Sequence, residues 1–441
     1  MVGKKRWLLI AVVLAALAGG ATWWALPRLP GRVRVYLPEP VAALVTTPLP
    51  AALPTAAAPT AAVGAATTLV ATVDLAQLVA EPPASPTAQS APPPAATAGA
   101  LLPTPTLAVA TPTLAPSLPP YGRVTNIPII PQKFNNCGPT NLTLVLNHYG
   151  IDVDQFAVAA LVRPNYEDRN VSPDELVDYV NEQTPLRAAA YAGGDIDTLR
   201  ALLAAGVPVI IETGLEPDAA TGWMGHYLTV FAYDDITRHL SVRDTYLGPW
   251  QGEGLAGYDE TARTWAQFNG AFVVVYPPER AAEVAAALGP AFADAATMWA
   301  AAVDAARAAA RARPDDPFAW FNLGSGLTAL AGPGDAALMA GAAAAFDRAR
   351  QLGLPPRMLW YQFAPYEAYL AAGRAGDVLT LTAVTLENQG GRNVEETYLY
   401  QGLALLATGD AAGARAALAR AVELNAASPT GKAAQAALDG L

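Results

Sequence analysis

Residues 41–120 carry only two charged side chains, Asp74 and Glu81, and about two-thirds of them are Ala, Pro or Thr. Such a segment cannot bury enough apolar surface to offset its ordering entropy, and its prolines keep it extended. It divides the 441-residue chain into a short N-terminal piece and about 320 residues beyond, room for two domains at 100–200 residues each. The expected organisation is an N-terminal segment 1–36, a disordered linker or stalk 37–120, a mixed α/β domain 121–278 and a helical domain 279–441. A Thr/Pro-rich exported stalk is also a compositional candidate for O-glycosylation.

The N-terminal piece sets the expected compartment. Lys4, Lys5 and Arg6 precede an uncharged run over residues 7–26, about 20 residues and enough helix to cross a bilayer. Basic flanks stay on the cytoplasmic side, so the rest of the chain is expected outside the membrane. Ala16-Leu17-Ala18 offers a small-residue cleavage site, which would make the protein secreted. The run continues past it through Trp23 and Trp24 to Leu26, as an interfacial aromatic belt would, which favours a single-pass anchor.

Composition excludes several classes. The formal charge of −11, from 27 Lys+Arg against 38 Asp+Glu, lacks the basic footprint of a nucleic-acid protein. One cysteine excludes an internal disulfide framework and any Cys-rich zinc or iron–sulfur site. No motif implies a metal or an organic cofactor.

At Tyr121 the low complexity stops. Residues 141–149 have helical apolar spacing in Leu142, Val145, Leu146 and Tyr149, with Gly150 as a stop. Ser172-Pro173-Asp174-Glu175 reads as a capping box with proline at the first helical position. Asp195 caps another helix, ended by Gly206. Strand patterns follow at 207–213, 227–233, 240–246 and 271–276. Helices first and a mostly antiparallel sheet afterwards is an α+β layout.

The single thiol sits in Gln132-Lys133-Phe134-Asn135-Asn136-Cys137-Gly138-Pro139-Thr140-Asn141, directly ahead of the 141–149 helix. Pro139 suits the first helical turn, which places Cys137 at or just before the helix N-terminus. There the dipole and free N–H groups lower a thiol pKa. The plainer alternative is an inert small residue in a turn.

A thiolate needs a base. His148 is 11 residues further along the same helix, about 16 Å away at 1.5 Å per residue, and cannot reach. His239 beside Arg238 reads as an exposed hairpin residue. His226 opens an apolar strand after Gly222-Trp223-Met224-Gly225. A hairpin turn centred between Asp235 and Ile236 sets His226 opposite Thr245, or beside Asp244 after a one-residue slip or bulge. Opposed residues share a face with Cβ atoms about 5 Å apart, so Asp244 could orient the imidazole. The plainer readings are an Asp244–Arg243 pair and a partly buried, satisfied histidine.

The string NNCGPTNL with its upstream Gln, GHYLTVFAYDD and VRDTYLG together resemble the bacteriocin-processing-type, peptidase C39-like branch of the papain-like cysteine peptidases. The likeness covers roughly residues 127–277, including a late helix over 264–268 and a closing strand. It implies a papain-like fold with Cys137 as nucleophile, His226 as general base and acid, and Asp244 as orienting residue. By the same resemblance, Gln132 donates its side-chain amide to the oxyanion, with the Cys137 N–H as second donor. The best-known members are fused to export transporters and cut double-glycine leaders. No transporter is recognisable here, so the substrate does not carry over.

From Ala281 onward the chain is Ala, Leu, Arg and Asp at helical spacing. Pro317, Trp320, Leu323 and Gly324 resemble the start of a tetratricopeptide (TPR) repeat, completed by Phe346, Ala349 and Pro355. A second copy runs from Tyr398 through Gly402, Ala414, Leu418 and Ala421, with a degenerate helical pair over 358–388 between them. Such repeats bind peptides or partner proteins on a concave face, while the alternative is a plain Ala-rich bundle.

The expectation is therefore an α+β papain-like domain and an all-α TPR-like domain behind a membrane segment and stalk, acting as an exported thiol peptidase on peptide or protein substrates. Two alternatives remain: the same residues serving acyl transfer or isopeptide and amide cleavage, and an inactive surface scaffold.

Overall fold

The computed structural model describes residues 50–56, 73–80, 118–218 and 221–441. The apolar run 7–26 lies outside the described residues. Among those described, no helix is long and apolar enough to cross a membrane.

The first half of the described chain is built on an antiparallel seven-stranded sheet: β1 (Tyr121–Arg123), β2 (Arg187–Tyr191), β3 (Val209–Leu215), β4 (Met224–Asp234), β5 (His239–Asp244), β6 (Gly254–Gly257) and β7 (Phe272–Tyr276). The order is β2-β7-β3-β4-β5-β6, and β1 also pairs with the far end of β4. Five helices accompany it: α1 (Cys137–His148), α2 (Gln155–Val162), α3 (Pro173–Gln183), α4 (Ile196–Ala204) and α5 (Tyr258–Trp265). The period of two in β3 sends Ile210 to one face, where it joins Leu142, Val145 and Leu146 of α1. Val209 and Ile211 go to the other, against Leu199, Leu202 and Leu203 of α4.

Capping chemistry sets the helix starts. The Ser172/Glu175 box is formed at α3 with proline in its first turn, and Asp195 accepts from the Thr198 N–H at α4. Gly206 follows α4 at φ 74°, a left-handed position that glycine adopts without a Cβ penalty. The strands β1, β2 and β6 had no counterpart in the sequence reading. Their YGR, RAAAY and GLAG segments lack β-branched residues, and neighbouring strands supply their pairing instead.

The remainder is helical: α6 (Ala281–Leu288), α7 (Ala295–Ala312), α8 (Pro317–Leu330), α9 (Ala336–Leu352), α10 (Ala364–Ala371), α11 (Ala375–Glu387), α12 (Glu395–Ala407), α13 (Ala411–Leu424) and α14 (Pro429–Asp439). α6 lies beyond the expected boundary at 278, yet its Val284 and Leu288 complete the α/β core. Small residues set the close helix pairs. A Cβ on Gly324 of α8 would stand 2.7 Å from the Phe346 ring of α9, and one on Gly402 of α12 would stand 2.6 Å from Leu418 of α13.

Two pieces of the Ala/Pro/Thr tract bury more than expected of a stalk that buries almost nothing. Leu53 is 4% exposed within the helical core, its N–H donates to the Leu354 carbonyl at 2.9 Å, and Arg350 donates to the Pro54 carbonyl at 2.7 Å. Residues 75–78 form one helical turn capped by Asp74. Its Leu75 and Leu78 pack on the same core, and Arg307 donates to the Leu78 carbonyl at 3.2 Å. Composition averaged over the tract hid these leucines. A few large apolar side chains suffice where a preformed groove receives them.

Candidate active site

Cys137 is the first residue of α1, after Asn136 at the N-cap. The loop ahead of it is held from α2. Gln155 Oε1 accepts from the Lys133 N–H at 2.7 Å, from Asn136 Nδ2 at 3.1 Å and from Thr140 Oγ1 at 3.0 Å. Gln155 Nε2 donates back to the Pro131 carbonyl at 3.0 Å. The Arg163 guanidinium donates to Asn136 Oδ1 at 2.5 Å. Asn135 takes a left-handed φ of 57°, a turn asparagine tolerates, and donates to the Asp168 carbonyl at 2.7 Å.

His226 lies in β4 and is 2% exposed. Its Nε2 lies 3.0 Å from Asp244 Oδ1, and the Cys137 thiol interacts electrostatically with the same imidazole. Asp244 Oδ1 also accepts from the N–H groups of Tyr246 and Leu247, each at 2.8 Å. The alternative Asp244–Arg243 pair is not formed. Arg243 donates instead to the carbonyls of Gly252 at 2.9 Å, Ile127 at 3.2 Å and Pro128 at 3.3 Å.

The hairpin register differs by one residue from the expected one. Asp234 pairs with His239, so the turn is centred one residue later than expected. A bulge at Phe231, between Val230 and Ala232, then shifts the ladder so that Leu228 pairs with Asp244. His226 therefore shares a face with Asp244 as its diagonal neighbour, while Thr245 turns to the opposite face with Tyr227. One inserted residue exchanges which side chain meets the imidazole.

The electrostatics follow from this packing. Burial pushes the Cys137 thiol up, but the hydrogen bond and charge of His226, with backbone hydrogen bonds from Tyr227 and Gly138, bring it below the ordinary thiol value. Burial depresses His226, yet Asp244 and Cys137 outweigh it and raise the imidazole to about 9. Burial raises Asp244, and the His226 contact with the two backbone N–H donors brings it below the ordinary carboxylate range. Glu212, cross-strand from Tyr227, is pushed well above the usual range by burial, with the Cys137 charge adding to the shift. The arrangement favours a thiolate–imidazolium pair backed by one carboxylate.

Gln132 is joined to the same cluster. Its N–H donates to the Thr245 carbonyl at 2.8 Å, and its Oε1 accepts from Thr245 Oγ1 at 2.8 Å. His148 closes α1 away from Cys137, and the exposed His239 contacts the Thr237 carbonyl through Nδ1. The structure thus brings Cys137, His226, Asp244 and Gln132 together and leaves the other two histidines apart. No group of three or more His, Cys, Asp or Glu residues among the described residues could hold a metal ion.

The sequence reading missed the supporting contacts of the helical region. Arg357 donates to the Thr221 carbonyl at 2.7 Å, Gln362 to Gln267 O at 3.1 Å and Asn322 to Ala266 O at 2.7 Å. Trp223 stacks on Phe268 at 5.7 Å, and the Tyr361 ring packs edge-on to both at 6.0 Å. A Cβ on Gly225, next to His226, would lie 3.1 Å from Tyr361. The only local signal for this was the cluster of aromatics in both segments.

The described residues thus combine an antiparallel sheet with a cysteine at a helix N-terminus and a histidine on a central strand. Residues 124–273 match the family described as Peptidase_C39 like, so a sheet-containing C39-like domain precedes a helical C-terminal region. A crystal structure provisionally described as a C39-like peptidase from Bacillus anthracis is 18% identical, with 35% of this chain and 96% of that chain covered at a TM-score of 0.30. No curated protein sequence matches the chain.

Proposed function

We propose that the protein is a thiol peptidase that cleaves peptide bonds through Cys137, His226, Asp244 and Gln132, displayed outside the membrane on its N-terminal segment. The observation that carries this reading is the buried contact of 3.0 Å between His226 Nε2 and Asp244 Oδ1, with the Cys137 thiol close enough to perturb the same imidazole. The Cys137 thiolate attacks the substrate carbonyl carbon. Gln132 Nε2 and the Cys137 N–H receive the oxyanion. His226 passes its proton to the leaving amine as the C–N bond breaks, leaving a thioester. Water then attacks with His226 as base, the C–S bond breaks, and the thiolate–imidazolium pair returns. The C39-like match supports a peptide or protein substrate. The TPR-like helices dock a partner or a distal part of the substrate, and residues 7–26 form the tether. Turnover of a peptide library by the wild type and by Cys137→Ala tests the chemistry. Equal turnover by the two proteins would refute it.

A further inference from the structure

A glutamine can serve an oxyanion only through its nitrogen end, and its two amide ends have nearly the same shape. Something must hold Gln132 the right way round. The carbonyl end of that amide is committed by Thr245, whose Oγ1 donates to Gln132 Oε1 at 2.8 Å. Behind Thr245 stands Asn141, on α1 one turn after Cys137, whose Nδ2 lies 3.3 Å from Thr245 Oγ1. Asn141 is itself fixed. Its Nδ2 donates to the carbonyls of Cys137 and Tyr227, each at 2.9 Å, and its Oδ1 accepts from Thr229 Oγ1 at 2.7 Å. Thr229, Asn141 and Thr245 are all buried. The two Asn141 amide hydrogens are taken by the Cys137 and Tyr227 carbonyls, so its longer approach to Thr245 packs against the hydroxyl rather than supplying it a full bond. The Thr245 hydroxyl has one proton, and it is directed to the glutamine oxygen.

We propose that Thr245, packed beside Asn141, is a positioning residue that locks the Gln132 amide with Nε2 turned toward the oxyanion. The Gln132 N–H bond to the Thr245 carbonyl at 2.8 Å clamps the same pair through the backbone. The alternation of the strand end divides the work: Asp244 serves the histidine on one face and Thr245 serves the glutamine on the other. This inference rests on the oxyanion role of Gln132 proposed above. A valine at 245 keeps the shape but removes the donor, so the amide loses its preference between two orientations.

The test compares Thr245→Val, Thr245→Ser and Gln132→Ala in the full chain. Three readouts are kcat on the best-cleaved library peptide, inhibition by the matching peptide aldehyde, and the pH profile of iodoacetamide alkylation. Alkylation forms no oxyanion, whereas turnover and the aldehyde adduct both do. Thr245→Val is expected to lower kcat and aldehyde affinity by about 10-fold or more, within the 10²–10³-fold ceiling for losing one oxyanion donor. The alkylation profile should stay that of the wild type, and Thr245→Ser should recover most of the loss. A Thr245→Val protein with wild-type kcat beside an impaired Gln132→Ala overturns the positioning role alone. So does an equal loss of alkylation and turnover in Thr245→Val, since that marks a general structural defect. A fully active Gln132→Ala overturns the oxyanion reading itself, and the role of Thr245 with it.

Discussion

Asp244 Oδ1 lies 3.0 Å from His226 Nε2, although the two residues are diagonal rather than opposite neighbours across the β4–β5 ladder. The same oxygen accepts two backbone N–H bonds from the turn that follows, so the carboxylate is held before any substrate arrives. Asp244→Asn removes the charge but keeps the shape. It should lower kcat on the order of 10²-fold and weaken the alkaline persistence of the imidazolium, read from steady-state kinetics across pH.

The thiol should behave as an activated one. With His226 raised to about 9 and Cys137 held below the ordinary thiol range, rapid alkylation by iodoacetamide is expected near pH 6. Above pH 9 acylation should fall as the leaving-group acid is lost. Alkylation that rises only around the free-thiol value of about 8.5 would contradict the ion pair.

His226 also links pH to stability. Its folded value of about 9 lies above the unfolded value of about 6.5. The stabilisation is therefore complete below about pH 6.5 and is lost as pH rises through about 9. His226→Gln should flatten that limb in urea unfolding curves measured from pH 6 to pH 10.

A cluster of carboxyls joins the two halves of the structure. Asp168 and Glu175 of the α/β domain meet Glu395 and Glu396 at the start of α12, where Asn170 Nδ2 lies 3.4 Å from Glu396 Oε1. Burial, then the Glu395 charge, pushes Glu175 up to about 8, and burial raises Asp168, Glu395 and Glu396. Arg163 opposes the shift at Asp168. Raised carboxyls give full stability only below their unfolded values of about 4 and lose it as pH rises through the folded ones. Glu396→Gln should stabilise the protein at pH 8 and leave it nearly unchanged at pH 4, measured by denaturant unfolding.

Leu53 tests whether the docked part of the tract contributes to folding. It is 4% exposed against the helical core, so Leu53→Ala should cost about 2–3 kcal/mol and speed proteolysis near residue 53. A Leu53→Ala protein as stable as the wild type would mean that the contact contributes nothing.

Short-range rules made much of this protein legible from residues alone. Pro139 and the apolar spacing after it placed Cys137 at a helix start, Ser172 with Glu175 announced α3, and Gly206 ended α4. Each is decided within one turn of chain, where capping and φ preferences act without help from distant residues. Gly324 and Gly402 mark close helix pairs, because only a missing Cβ admits Phe346 and Leu418. What the residues left open was settled at long range. A single bulge at Phe231 decided that Asp244 rather than Thr245 meets His226, and no local propensity announces a one-residue insertion in a ladder. The clamp on Gln132 joins residues more than a hundred positions apart, and Leu53 found its place against helices some three hundred residues further on. Such contacts depend on which surfaces the packed core brings together. The candidate nucleophile was therefore visible in sequence, but its partners became specific only when register and packing were fixed in three dimensions.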